Sequence, residues 1–113
     1  LATSSAASDV YKRQIFKHAE QEAPRECCGL VIEENDNEKY IPLENLSTEK
    51  DEFEMDGETF VRYLLKSKIK YVVHSHYDED CSPSEQDIIQ CREVGIPYLI
   101  VSYPDKEYTI LQP

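Results

Sequence analysis

The spacing of hydrophobic and polar positions changes several times along the chain, and each change predicts an element. In IFKHAEQEAP, Ile15, Ala19 and Ala23 fall near one face of a 3.6-residue period, so a helix is predicted that Pro24 ends. CGLVIEE is a short apolar run that reads as a buried strand, and NDNE then supplies turn chemistry. KYIPLEN returns as a second strand, closing a hairpin, with Pro42 marking a sheet edge or a bulge. MDGETFVRYLLKSK predicts a second helix, capped by Asp56 and striped by Phe60, Val61, Leu64 and Leu65. IKYVVHSH is β-branched and aromatic, the pattern of a central strand.

After a polar loop, SPSEQDIIQCREVG carries serine caps at Ser82 or Ser84, Pro83 in the first turn and acids early. Gly95 and Pro97 then end that third helix. PYLIVSY predicts a buried strand, PDKE a turn, and YTIL the closing strand of a final hairpin. Helix, two strands, helix, strand, helix, two strands fits a mixed sheet with helices packed against it, without repeat or internal boundary.

Length and charge narrow the function. A chain of 113 residues holds one domain at most. The net charge of −11, from 23 acidic and 12 basic residues, repels a phosphate backbone or an anionic membrane surface, so neither nucleic acid nor membrane is an expected partner. No apolar run approaches the roughly 20 residues of a membrane span, and no secretory leader is visible, so a soluble, cytoplasmic protein is expected. Cys27 and Cys28 are adjacent and no CxxC pair exists, which fits packing thiols in a reducing compartment. Residues 1–14, LATSSAASDVYKRQ, are rich in small polar residues without a convincing amphipathic period. They are expected to be a disordered or artefactual tail ahead of a domain at 15–113.

The candidate chemistry lies in HSHYDEDCSPSEQD. Residues i and i+2 of a strand share a face, so His74 and His76 project side by side with roots about 6.6 Å apart. Asp87, Ile88, Cys91 and Val94 share a face of the following helix, which carries Asp87 to the mouth of the strand. A carboxylate in a first helical turn is favoured in its charged form, as a metal ligand must be. Two histidines and a carboxylate leave a fourth tetrahedral position for water, the arrangement of a catalytic zinc site. The bland alternative is a capping box at SEQD or SPSE and two ordinary polar histidines at a sheet edge. Other metal chemistries fail on inventory: a metallo-β-lactamase needs a histidine where Glu79 stands, and a nucleobase deaminase needs HxE and PCxxC.

His74, His76, Ser84 and Asp87 together match HxH, seven residues, then SxxD. This resembles the signature of the JAMM metallopeptidases, also called MPN-plus domains, and the similarity covers about Ile15 to Pro113. The resemblance implies an α/β (α+β) fold with a mixed, mainly antiparallel sheet flanked by helices, of cytidine-deaminase-like architecture. It also implies that His74, His76 and Asp87 hold Zn2+. Glu26, in PRECCGL, would serve as general base and then acid, and Ser84 would steady the oxyanion.

Within the family, SPSEQDIIQCREVGIPYLIVSYPD looks most like the bacteriophage tail assembly protein K branch. That implies a phage or prophage gene, a peptide or protein substrate, and phage tail proteins as partners in the bacterial host cell. The branch commonly continues into an NlpC-type cysteine peptidase domain, and this sequence stops at Pro113, soon after the place where such a domain would begin. Two alternatives stand beside a peptidase or isopeptidase: a non-catalytic assembly module that keeps the metal site, and a hydrolase acting on a sulfur-carrier conjugate or small amide. Lesser candidates are Cys81 as an extra ligand, Tyr77 to Asp80 as cleft lining, and Arg25 as an orienter of Glu26.

Overall fold

The computed structural model describes the backbone of residues 2–113 and the side chains from Asp9 onward. Its elements are α1 (Ala2–Glu22), β1 (Cys28–Glu34), β2 (Asn37–Leu43), α2 (Gly57–Lys66), β3 (Lys68–Tyr77), α3 (Glu85–Val94), β4 (Tyr98–Tyr103) and β5 (Tyr108–Leu111). This is the predicted order. The five strands form one sheet, β2-β1-β3-β4-β5, in which only the β3–β4 pair is parallel. The crossover joining that pair is α3, as a parallel connection requires. β3 is central as predicted, and Pro42 sits in the edge strand β2, where its missing N–H costs no ladder bond.

Strand alternation sends successive residues to two apolar layers. Val31, Val73, Leu99 and Val101 face α1 and pack with Tyr11, Ile15 and Ala19. Leu30, Ile32, Ile69, Val72 and Ile100 face the opposite side and pack with Cys91 of α3 and Phe60 and Tyr63 of α2. Gly29 makes the β1–β2 approach possible: a Cβ there would lie 2.5 Å from the Ile41 carbonyl oxygen and from a ring carbon of Tyr40.

Three expectations are corrected. α1 begins well ahead of Ile15, and Tyr11, placed in the expected tail, is 3% exposed in the core. Leu1 lies outside the described residues. A stripe made of Tyr11, Ile15 and Ala19 has one residue per turn, too sparse to stand out among alanines and serines. Pro83 lies outside α3, because Ser84 is the N-cap and Glu85 the first helical residue. Of the predicted buried face of α3 only Asp87 and Cys91 are buried; Ile88, about 100° further round the helix, and Val94, in its last turn, are exposed.

Candidate metal centre

β3 delivers His74 and His76 to its C-terminal end, on the face that also receives α3. Ser84 caps α3 by accepting from the Asp87 N–H at 3.0 Å, while the Ser84 N–H donates to Asp87 Oδ2 at 2.9 Å. The capping box is therefore real. The same carboxylate also reaches the strand: Asp87 Oδ1 lies 3.0 Å from His74 Nε2, and Oδ2 lies 3.1 Å from His76 Nε2. Capping fixes the side chain that both imidazoles face, so the bland and the functional readings describe one residue.

Glu26 arrives from the segment between α1 and β1, and its Oε1 stands 3.2 Å from His74 Nδ1. Among the described residues, Glu26, His74 and His76 offer one donor atom each within 4.8 Å of one another. All four side chains of this centre are buried, His74 at 1% exposure. Both His74 nitrogens lie beside a carboxylate oxygen, yet neither contact is aligned as a hydrogen bond. Buried imidazole nitrogens without directed partners are costly, and a cation among these donors would satisfy them. The donor set of two imidazoles and a carboxylate fits such an ion, with a coordination position to spare.

His76 shows which nitrogen is available. Its Nδ1 lies 2.9 Å from the Asp80 carbonyl oxygen, so Nδ1 carries the proton, and in the neutral ring Nε2 is left as the lone pair facing Asp87. Burial alone would lower the His74 pKa, but the Asp87 and Glu26 carboxylates outweigh it and raise it from 6.5 to about 9. His76 is raised as well, with burial again opposed by Asp87 and the Asp80 carbonyl. Asp87, despite its burial, is held far below the ordinary carboxylate range by the two imidazoles. In the metal-free protein these groups are thus a proton-sharing cluster.

Several residues that build the centre carry no sequence signal of their own. Asn45, 4% exposed, donates to the carbonyls of Glu26 and Glu52, each at 2.9 Å, and accepts from the N–H groups of Ser47 and Glu54. It clips the loop between β2 and α2 to the backbone of Glu26. Ser75, between the histidines, points to the other sheet face and accepts from the Cys27 N–H at 2.8 Å, fixing the residue next to Glu26. Phe53 stacks on the His74 ring, with centroids 4.6 Å apart and planes at 21°.

The lesser candidates divide. Arg25 donates to the carbonyls of Asn45 and Ser47, so it holds the loop and not the Glu26 carboxylate. Cys81 packs against the apolar layer beneath α2 and α3. Burial pushes the Cys27 and Cys28 thiols up to about 11 and about 12, which fits packing residues. Glu79 and Asp80 line the cleft over Glu26, His76, Ser84 and Asp87, whereas Tyr77 and Asp78 line a hollow beside it.

Comparison with known proteins places the chain in a family and a fold. Residues 8–111 match the family of prokaryotic homologs of the JAB domain. The tail tip assembly protein K of Escherichia phage N15 is 39% identical over 100 residues, covering 88% of this chain. The chain spans only 41% of that relative's length. A protein of known solution structure from Desulfitobacterium hafniense superposes with a TM-score of 0.70 at 25% identity, covering 88% of this chain and 76% of that one. A JAB1/MPN domain protein from Archaeoglobus fulgidus does so with 0.65 at 23% identity, covering 90% and 83%. A structure described as a metalloprotease-like zinc site in the proteasome and signalosome gives 0.57 at 23% identity, over 89% and 80%. With a matching family over nearly its whole length and the same fold in these structures, the chain belongs to the prokaryotic branch of the JAB, or JAMM/MPN, family.

Proposed function

We propose that this domain is a zinc-dependent peptidase or isopeptidase that hydrolyses an amide bond of a peptide or protein substrate, acting in phage tail assembly in the cytoplasm of the bacterial host cell. The observation that carries the reading is the Asp87 carboxylate meeting Nε2 of both histidines, with the Glu26 carboxylate beside the other nitrogen of the fully buried His74. The phage relative, named for tail tip assembly, supports the biological setting. In this reading His74, His76 and Asp87 hold the ion. A zinc ion held there would supply Lewis-acid polarisation of the substrate carbonyl and would lower the pKa of its water to about 7.

The chain's own groups do the rest. Glu26, beside His76 and Asp87 in the cleft, accepts the water's proton on its carboxylate and delivers it to the leaving amine. The Ser84 hydroxyl spends an acceptor lone pair on the Asp87 N–H, which leaves its own proton free to donate to the developing oxyanion. Phe53 covers the ring face of His74 and keeps water from it.

The test is digestion of a peptide library by the zinc-loaded protein, read by mass spectrometry. Wild type is expected to give products. Glu26→Gln should slow their appearance at least about 100-fold while the metal stays bound; His76→Ala should lose both. Cleavage by Glu26→Gln at the wild-type rate would sink the reading. If that variant also supports tail assembly in a complementation assay, the domain is a non-catalytic assembly module instead.

A further inference from the structure

We infer that the cleft selects a cationic substrate segment, one carrying lysine or arginine side chains next to the bond to be cut; this rests on the peptidase reading above. The cleft encloses about 250 Å³, room for a few residues of extended chain, with Glu26, His76, Ser84 and Asp87 at its floor. Gln86 and Gln90 of α3 line one side, and the acidic walls come from two loops. Asp51 and Glu52 stand on the β2–α2 loop, and Glu79 and Asp80 on the β3–α3 loop.

All four wall acids are exposed, and among the described residues none forms an ion pair with a lysine or arginine. The hollow alongside repeats the sign, sharing Asp51 and Glu79 and adding Asp78, with Lys50 as its one lining cation. A divalent ion offsets the two floor carboxylates, Glu26 and Asp87. It leaves the four wall charges uncompensated.

Both walls are held in place by buried polar groups of the centre itself. Asn45 grips the Glu52 carbonyl and the Glu54 N–H, and the His76 ring donates to the Asp80 carbonyl at 2.9 Å. The acids are thus fixed around the cleft that Glu26, His76, Ser84 and Asp87 also line. Like charges lining a concave site focus the field, raising the local concentration of cationic segments and excluding carboxylate-rich ones. Exposed pairs act weakly one by one, so the effect comes from the four together and fades with salt.

The experiment measures binding by fluorescence anisotropy, with the zinc-loaded chain and two labelled octapeptides, one lysine-rich and one glutamate-rich. At 20 mM NaCl the lysine peptide is expected to bind at least about tenfold more tightly, with a smaller margin at 200 mM. Because the whole chain is anionic, two triple variants of equal charge are compared. Asp51→Asn/Glu52→Gln/Glu79→Gln should lose most of the preference. Glu33→Gln/Glu34→Gln/Asp36→Asn, at the far end of the β1–β2 hairpin, should keep it. Equal binding of the two peptides, or equal loss in both variants, overturns the inference. A retained preference without any cleavage would count against the peptidase reading alone.

Discussion

Asp87 closes the first turn of α3 through Oδ2 and faces the two imidazoles with Oδ1 and Oδ2. That double duty makes the centre sensitive to pH in the metal-free protein. The His74 pKa rises from 6.5 to about 9 on folding, so its contribution to stability is fully present below 6.5 and is lost as pH climbs through 9. Asp87 runs the other way: its depressed pKa contributes stability above its unfolded value of 3.8, lost as pH falls below it. Metal-free protein should therefore be most stable between about pH 4 and 6.5 as far as this cluster decides, and a urea titration against pH checks it. Zinc bound as proposed would have to displace the His74 proton, so apparent metal affinity should rise between pH 6.5 and 9, as titration with a competing chelator would show. A flat affinity over that range would contradict the proton-sharing cluster. At this scale much was legible, since the interval between His76 and Ser84 singled out the four residues that the structure brings together. Asn45, Ser75 and Phe53 were not: their roles depend on which loop or sheet face meets Glu26 and His74, which spacing within one segment does not encode.

Among the elements, the loop between β2 and α2 has the least regular structure and the most direct hold on the centre, because a single buried amide ties it to Glu26. Asn45→Ala removes two donors and an acceptor from buried backbone groups, at a cost of about 1–3 kcal/mol for each group left unsatisfied. The variant should keep its metal and lose turnover, since the proposed ligands stand on β3 and α3 while Glu26 and Phe53 lose their anchor. A variant that loses metal as readily as His76→Ala would show Asn45 to be part of the ligand framework instead. Gly29→Ala drives a methyl into Tyr40 and the Ile41 carbonyl across the β1–β2 ladder. Thermal unfolding should register a loss of about 1–3 kcal/mol from such overpacking, or more because part of the obstacle is backbone. Every predicted strand and helix formed, and the differences lie at the margins of α1 and α3. α1 reaches further than its thin Tyr11, Ile15 and Ala19 stripe predicts, and Ile88 and Val94 are apolar yet exposed on α3. How far a helix end overhangs its sheet is a tertiary property.

At the scale of the whole molecule, a three-layer arrangement of α1, sheet, and α2 with α3 leaves one end of the parallel strand pair open, and the centre sits there. No helix among the described residues is long and apolar enough to cross a membrane. Because the centre joins the β1 entry, β3 and α3, a bound ion cross-links segments distant in sequence and stabilises the folded state by mass action. Zinc held at 1,000 times its dissociation constant contributes about 4 kcal/mol, so removing it should lower the melting temperature by on the order of 10 °C. The central claim, a metal centre of His74, His76 and Asp87 with Glu26 beside it as the base, is tested most directly by metal content. Purified wild type, Glu26→Gln, His76→Ala and Asp87→Ala are each loaded with zinc, desalted and analysed for metal per chain. About one zinc per chain is predicted in wild type and in Glu26→Gln, and a small fraction of that in the two ligand variants. Absence of zinc from wild type, or its loss from Glu26→Gln to the same degree as from Asp87→Ala, would contradict the account.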